Sequence, residues 1–350
     1  MALAATLSCP ELRHNGRGGF TLRAMGSDSE PDQRPRSCYE VRRSNLHTKD
    51  SDRDALPSSF RRSNAAATAS RVEVIQGMSD RKSGDRRFAF GDNWLDFARD
   101  LGADQITEAE KSLRELLGHD DLAGMRFVDI GSGSGLFSLA ARRLGARVHS
   151  FDYDTDSVLC TRRIRDRHFP DDPDWTIEQG SVLDPDYVRS LGTFDIVYSW
   201  GVLHHTGNMH ASLDSASGLA SSGGLFAFAL YHRTRMCGFW RLEKRWYAGA
   251  SPRTQGAVRA AYVALLRMRF AMTGGDFRSY VENYRSKRGM DFEHDVHDWL
   301  GGYPYESISG PEVEAQMQRL GFMHVRSTPT PTTIGLFGSG CDEYVYRRID

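Results

Sequence analysis

Three features that would narrow the function of this 350-residue sequence are missing from it. Its five cysteines are scattered, without a C-x-x-C pair, which predicts reduced thiols in a cytoplasmic protein rather than a disulfide framework. No apolar run approaches the ~18–20 residues of a membrane-spanning helix, and residues 223–231, the longest such run, have the length of a strand. The formal net charge of −1 gives no overall attraction to nucleic acid or to an anionic membrane.

A sustained hydrophobic period is also missing from residues 1–77, which are rich in Arg, Ser, Asp and Pro. This composition predicts a segment without a packed core. Two interpretations compete. One is an organelle-targeting leader, because the first 25 residues carry arginines and few acids. The other is a disordered leader, or translated sequence upstream of a start at Met78. Glu11 and the acids between Asp28 and Asp54 favour the second interpretation.

The rest of the chain divides into four segments by its pattern of apolar residues. Residues 78–123 predict an N-terminal helical lid, whose helix begins near Thr107 with Glu110 at capping-box spacing. Residues 124–231 alternate apolar runs with segments of helical period, and residues 232–302 interrupt this alternation as a helical insert. Residues 303–350 predict a helix and two strands that complete the sheet.

Strands separated by helices of about ten residues predict right-handed βαβ units and a parallel sheet covered on both faces. We therefore expect an α/β fold with a doubly wound, mostly parallel sheet and a helical insert after its fifth strand. The predicted strands are residues 126–130, 147–151, 175–179, 194–199, 225–231, 322–327 and 342–347.

A glycine-rich turn closes the first of these strands, with Asp129 followed by Gly131, Gly133 and Gly135. Glycines at alternate positions let the backbone turn tightly and approach a ligand where a Cβ would collide. Asp152 stands at the end of the second strand, where a carboxylate can accept hydrogen bonds from both ribose hydroxyls of an adenosine. The two features together predict a nucleoside-binding site.

The run D-x-G-x-G-x-G resembles motif I of the class I S-adenosylmethionine (SAM)-dependent methyltransferases, and it differs from the G-x-G-x-x-G of nicotinamide-dependent dehydrogenases. Residues 151–154, 180–184, 194–205 and 223–226 resemble later motifs of the family in the same order. Residues 200–207 and 298–306 resemble a small-molecule branch that is distantly similar to quinone-pathway methyltransferases.

The resemblance implies a seven-stranded sheet whose last strand is antiparallel, with SAM as the cofactor. In the family an acid often stands where this chain has Ser181, so a backbone N–H at Val182 is the expected partner of the adenine ring. The residues implied to bind the cofactor are Asp129, Gly131, Ser132, Gly133, Gly135, Asp152, Tyr153, Ser181, Val182 and Trp200.

Three residues are candidates for the methyl-acceptor side. His204 and His205 follow the fourth strand, at the sheet edge where open α/β folds bind ligands, and Tyr231 ends the fifth strand. His205 is the candidate base that takes the acceptor's proton. The competing interpretation is that the two histidines only order the turn at 206–209. Trp94 and Phe97 are candidates for a lid over the cofactor, or for core packing.

We expect a small-molecule acceptor, methylated at oxygen in preference to nitrogen, and the sequence leaves its identity and the oligomeric state open. Residues 232–290 carry 13 Arg and Lys against 3 Asp and Glu, which keeps an RNA or protein acceptor as an alternative. A SAM-binding regulatory protein without turnover is a second alternative. Residues 293–298 have the residue types of a metal site, but we expect a solvated loop there and no metal.

Overall fold

The structure is a computed structural model and describes residues 88, 94, 101–284, 292–331 and 333–349. The N-terminal segment 1–77 and Phe97, for which expectations are stated above, lie outside these residues. Seven strands form one sheet: β1 Arg126–Ile130, β2 Arg147–Asp152, β3 Trp175–Gln179, β4 Phe194–Trp200, β5 Ala220–Tyr231, β6 Phe322–Thr328 and β7 Cys341–Arg348.

Helices connect most of these strands, and a short 3₁₀ turn, Leu203–His205, follows β4. The helices of the α/β core are α1 Ala103–Leu117, α2 Leu136–Arg143, α3 Thr155–His168, α4 Pro185–Ser190, α5 Met209–Ser217 and α10 Gly310–Arg319. Those of the insert between β5 and β6 are α6 Cys237–Ala248, α7 Pro252–Met272, α8 Phe277–Glu282 and α9 Phe292–Gly301.

The strand order in the sheet is β3-β2-β1-β4-β5-β7-β6. Neighbours from β3 to β5 are parallel, whereas β7 is antiparallel to both β5 and β6. The predicted fold class, its antiparallel last strand and the insert after β5 are therefore confirmed. Chain order reverses between β1 and β4, and the carboxyl ends of strands at such a switch point are where open α/β sheets bind ligands.

The core lies on both faces of the sheet because its strands alternate their buried side chains between two apolar clusters. Phe127 of β1 packs on the side of α1, α2 and α3, and its neighbour Val128 packs on the side of α5 and α10. Both side chains are fully buried. Strands buried on both faces are typical of parallel sheets with helices above and below.

Three sequence expectations were wrong in detail. Helix α1 begins at Ala103, where the Gln105 side chain accepts the Gly102 N–H, so Thr107 lies inside the helix. β5 begins at Ala220 rather than at residue 225, so residues 223–224 lie within the strand, beside a register shift against β4. Residues 293–298 belong to α9 and not to a solvated loop, because Asp295 and Asp298 are buried against the insert.

Candidate active site

The glycine-rich turn between β1 and α2 is held against the end of β2. The backbone N–H groups of Gly131 and Ser132 both donate to the Phe151 carbonyl, at 2.8 and 3.2 Å. Gly131 has φ = 74°, and a Cβ there would lie 2.5 Å from the Val202 side chain. Only glycine satisfies both conditions, so β1, β2 and the β4 exit meet closely at this turn.

Asp152 fastens the same turn from the end of β2. One carboxylate oxygen accepts the Gly133 N–H at 2.9 Å, and the other accepts the Asp154 N–H at 2.9 Å. Burial is the main cause that raises the pKa of Asp152 to about 6, and these two backbone donors oppose it. Each oxygen retains a second lone pair, so the carboxylate can still accept two hydroxyl donors.

Asp129 lies deeper, inside β1. Its carboxylate accepts the Ser138 hydroxyl at 2.5 Å, and the Ser138 oxygen in turn accepts the Ser150 hydroxyl at 2.8 Å. The indole N–H of Trp175 donates to Ser150 at 2.9 Å and completes this buried chain. Burial is the main cause that raises the pKa of Asp129 to about 7.

Trp94 lies directly against the glycine turn. A Cβ on Gly133 would be 3.4 Å from its indole ring, and its carbonyl accepts the Cys160 thiol at 3.0 Å. Ser132 is linked to Thr161 of α3 by a hydroxyl–hydroxyl contact of 3.0 Å. The turn therefore has an aromatic side chain on one side and the first turns of α3 behind it.

The loop after β3 reaches the same edge. The Gly180 N–H donates to the Asp152 carbonyl at 3.0 Å, which joins the ends of β2 and β3. The Ser181 hydroxyl accepts the Leu183 N–H at 3.2 Å, Val182 is buried, and Tyr153 is 56% exposed. The structure thus brings Asp152, Tyr153, Ser181 and Val182 to one end of the site.

Two aromatic residues end β4 at the same edge. Tyr198 and Trp200 stack with ring centroids 5.5 Å apart. Within the described residues, the buried Tyr198 hydroxyl and Trp200 indole N–H have no hydrogen-bond partner. A buried donor without a partner costs free energy, and such donors at a sheet edge are candidates for binding a polar ligand.

His204, His205 and Tyr231 meet beyond these strands. The His204 ring centroid is 4.4 Å from that of His205 and 3.9 Å from that of Tyr231. All three residues are buried, and the Tyr231 N–H donates to His204 Nδ1 at 3.3 Å. Burial lowers the pKa of His205 to about 3 and that of His204 well below its usual value, so both rings are neutral at pH 7.

Residues 302–308, which follow α9, cross this part of the edge. His205 Nδ1 donates to the Pro304 carbonyl at 2.6 Å, which assigns the ring proton to Nδ1. The Glu306 N–H donates to the His204 carbonyl at 3.0 Å, and its carboxylate accepts the N–H of Met209 at 2.9 Å. Glu306 and Val202 also lie at this edge, and sequence reasoning did not select them as candidates because only long-range contacts reveal their place there.

The interior of the insert contributes a buried cation close to the two histidines. Lys244 of α6 is fully buried, and its ammonium donates to the Trp299 carbonyl near the end of α9. The ammonium also lies 3.6 Å from the Trp299 ring centroid. Burial lowers the pKa of Lys244, and its charge lowers the pKa values of His204 and His205. The excess of basic residues in the insert gave no indication that this lysine would be buried.

Residues 101–268 match the family model described as a methyltransferase domain. One similar curated protein is the ubiquinone biosynthesis O-methyltransferase of Methylobacterium sp. (strain 4-46), which is 32% identical over 35% of this chain and 47% of the relative. Another is the ubiquinone biosynthesis O-methyltransferase of Burkholderia ambifaria (strain MC40-6), which is 28% identical over 33% of this chain and 48% of the relative. The chain spans about half the length of the curated relatives it matches. A similar solved structure is the magnesium protoporphyrin IX methyltransferase of Synechocystis PCC 6803 with bound S-adenosylhomocysteine (SAH), 13% identical, TM-score 0.42, covering 71% of this chain and 86% of that one.

Proposed function

We propose that this chain, whose residues 101–268 match a methyltransferase domain, transfers the methyl group of SAM to an oxygen of a small-molecule acceptor. The observation that carries the proposal is the hydrogen-bonded contact between Asp152 and the glycine turn. The Asp152 carboxylate accepts the Gly133 N–H and keeps lone pairs for two further donors. A ribose with adjacent hydroxyls supplies two such donors.

The residues around this contact fit SAM. Asp152 would accept the ribose hydroxyls, and the Val182 N–H, with Tyr153 and Ser181 beside it, would bind the adenine. Gly131 and Gly133, which have no Cβ, let Val202 and Trp94 pack against the turn that would hold the methionine portion. The buried indole N–H of Trp200 is a donor that a polar group of the cofactor would satisfy. Asp129 supports the turn from below.

SAM supplies an electrophilic methyl group when it is bound, so the protein's main tasks are alignment and exclusion of water. The buried rings of His205, Tyr231 and Trp299 form an apolar wall beyond β4 and β5. We assign the acceptor to this wall. A hydroxyl acceptor also has to lose a proton, and His204 and His205 are the candidates for accepting it.

We assign His205 a positioning role in this site. Its Nδ1 proton is held by the Pro304 carbonyl, and burial lowers its pKa to about 3. Such an imidazole is a weak base, but it fixes residues 302–304 against the β4 exit. His204 does the same for the end of β5 through the Tyr231 N–H. The competing role, in which His205 takes the acceptor proton, makes a different prediction for conservative variants.

We expect His205→Gln to retain most of the transfer activity and His205→Ala to lose about tenfold in kcat/KM, because only glutamine keeps a side-chain donor for the Pro304 carbonyl. Transfer of radiolabelled methyl from SAM to a panel of phenols and hydroxylated small molecules measures this. The same assay tests the proposed function, since methylated product is expected for at least one acceptor.

Three results would contradict these assignments. If both His205 variants lose about a hundredfold or more in kcat and the acidic limb of the pH profile disappears, His205 is the base. If SAH binds but no acceptor in the panel is methylated, the regulatory alternative without turnover is favoured. Transfer to bulk RNA alone would favour the RNA alternative.

The affinity for SAH is expected to fall below pH 6. An ionised Asp152 accepts both ribose hydroxyls, whereas a protonated one, which exists below its pKa of about 6, must first release its proton. Linkage then predicts about tenfold weaker binding at pH 5 than at pH 7. Calorimetric titrations across this range measure the effect. Asp152→Asn is the control, and an unchanged slope in that variant would place the titrating group elsewhere, with Asp129 the next candidate.

A further inference from the structure

Helix α7 of the insert exposes an apolar face although its opposite face is already packed. Tyr262, Val263, Leu266 and Phe270 are buried, and the Tyr262 hydroxyl donates to the Phe337 carbonyl. Eleven other residues of the helix are exposed, and Arg253 and Arg267 are the only charged ones among them. The exposed apolar residues are Pro252, Ala257, Ala260, Ala261, Ala264, Leu265, Met268, Ala271 and Met272.

The large side chains of this face have helical spacing. Leu265, Met268 and Met272 stand at positions i, i+3 and i+7, with exposed fractions of 51%, 52% and 72%. An ordinary surface helix carries polar residues opposite its buried stripe, so α7 departs from that pattern. A contiguous apolar face of this kind on a soluble protein indicates an interaction site.

Helix α6 repeats the arrangement. Phe239, Leu242 and Trp246 are exposed by 53%, 70% and 55% and also stand at i, i+3 and i+7, while Trp240 and Tyr247 are buried. Arg241 and Arg245 are exposed beside them. Two consecutive helices of the insert therefore expose aromatic, Leu and Met side chains flanked by arginines.

The charge of the insert indicates which kind of partner these exposed faces bind. Residues 237–284 contain eight Arg and Lys against three Asp and Glu. Of these cations Arg241, Arg245, Arg253 and Arg267 are exposed on α6 and α7, and α7 contains no acid. A second copy of the chain would bring two positive faces together, which like-charge repulsion opposes. An RNA backbone complements the charge but leaves the Phe, Trp, Leu and Met side chains without an apolar partner. A bilayer with anionic headgroups satisfies both features, since such surfaces attract arginines and accept shallow apolar side chains.

We propose that the exposed faces of α6 and α7 form a docking surface for the anionic surface of a lipid bilayer. The large apolar side chains enter the boundary between headgroups and acyl chains, and the arginines contact lipid phosphates. The surface does not include the residues assigned to the cofactor, so the proposal stands independently of the methyl-transfer activity.

Vesicle flotation of the full chain tests the proposal. Binding is expected to vesicles of phosphatidylcholine with roughly a third phosphatidylglycerol, and it should weaken by about tenfold on pure phosphatidylcholine or at high salt. The triple variant Leu265→Ser, Met268→Ser, Met272→Ser should lose about tenfold or more in vesicle affinity, as should Phe239→Ser, Leu242→Ser, Trp246→Ser. Both variants should keep the wild-type melting temperature and SAH affinity, because the side chains are exposed.

The matched control is Met323→Ser with Val325→Ser, which removes two exposed apolar side chains of β6 and should leave vesicle binding unchanged. Failure of the wild type to float with anionic vesicles would overturn the proposal, as would equal flotation of the wild type and both triple variants. If the wild type does not bind vesicles but dimerises with increasing concentration, and the triple variants do not, the face is an interface between two copies of the chain. If the wild type instead binds RNA and the triple variants do not, the face is an RNA-binding surface.

Discussion

Replacing Asp152 with alanine is expected to weaken SAH binding by about a hundredfold or more, equivalent to roughly 2.7 kcal/mol. The two proposed hydrogen bonds from ribose hydroxyls to the carboxylate would be lost, and hydrogen bonds to charged groups are worth about 1.5–3 kcal/mol each. The glycine turn also loses a support, since the Gly133 N–H donates to this carboxylate. The dissociation constant from calorimetric titration measures the effect.

Two variants separate these causes from a general loss of folding. Asp152→Asn keeps one acceptor oxygen and is expected to lie between the wild type and the alanine variant. Asp121→Ala removes a carboxylate that also accepts a backbone N–H, that of Ala123. Asp121 precedes β1, so it lies at the amino ends of the strands, away from the glycine turn. SAH affinity in this control should equal that of the wild type. An Asp152→Ala protein that binds SAH as tightly as the control would remove Asp152 from the site.

Gly131→Ala is expected to lower the free energy of unfolding by about 2–4 kcal/mol. The left-handed φ of 74° costs an alanine about 1–2 kcal/mol, and the new Cβ would lie 2.5 Å from the Val202 side chain, which forces β1 and the β4 exit apart. A domain of this size should then melt at a temperature lower by several degrees. Because Gly131 opens the turn, SAH binding should fall as well.

Val202→Ala separates the two contributions to this loss. The double variant Gly131→Ala, Val202→Ala relieves the collision but keeps the unfavourable φ, so it should recover part of the stability of the single Gly131 variant. Urea unfolding of the four proteins gives the coupling free energy between the two positions. Unfolding free energies that add without coupling, or a Gly131→Ala protein as stable as the wild type, would mean that the turn is not packed as described.

The parallel core of the sheet was predictable from local sequence. Strands β1 and β3 have the predicted bounds, 126–130 and 175–179. β1 is buried on both faces and is mostly apolar, whereas the edge strand β3 buries Trp175 and Ile177 at alternate positions. The glycine turn was predictable for a similar reason, since D-x-G-x-G-x-G leaves few backbone conformations. The antiparallel direction of β7 followed from family resemblance, because the sequence of a single strand does not indicate which neighbour it pairs with.

Sequence failed where a distant part of the chain determines the environment. Glu306 accepts the N–H of Met209, almost a hundred residues before it in the chain, and no local pattern indicates such a contact. In the sequence Lys244 is one of many basic residues of the insert. In the structure it is fully buried and donates to the Trp299 carbonyl of α9. The acids at 293–298 suggested a solvated loop because their burial depends on the rest of the insert.

The proposed acceptor side illustrates the same limit for chemistry. The position of His205 after β4 made it a candidate base, which the sequence alone could neither support nor reject. Its pKa depends on burial and on the Pro304 carbonyl, which the chain reaches only after the insert. The assignment of a positioning role therefore stays a proposal that the glutamine and alanine variants test.

Calorimetric titration of SAH into the full chain at pH 7.5 is the most direct measurement of the central claim, that the edge formed by the glycine turn and Asp152 binds the SAM cofactor. One equivalent of SAH is expected to bind with a micromolar dissociation constant, about −8 kcal/mol, and NAD should give no heat. A folded protein that gives no heat with SAH, or that binds NAD in its place, would contradict the account.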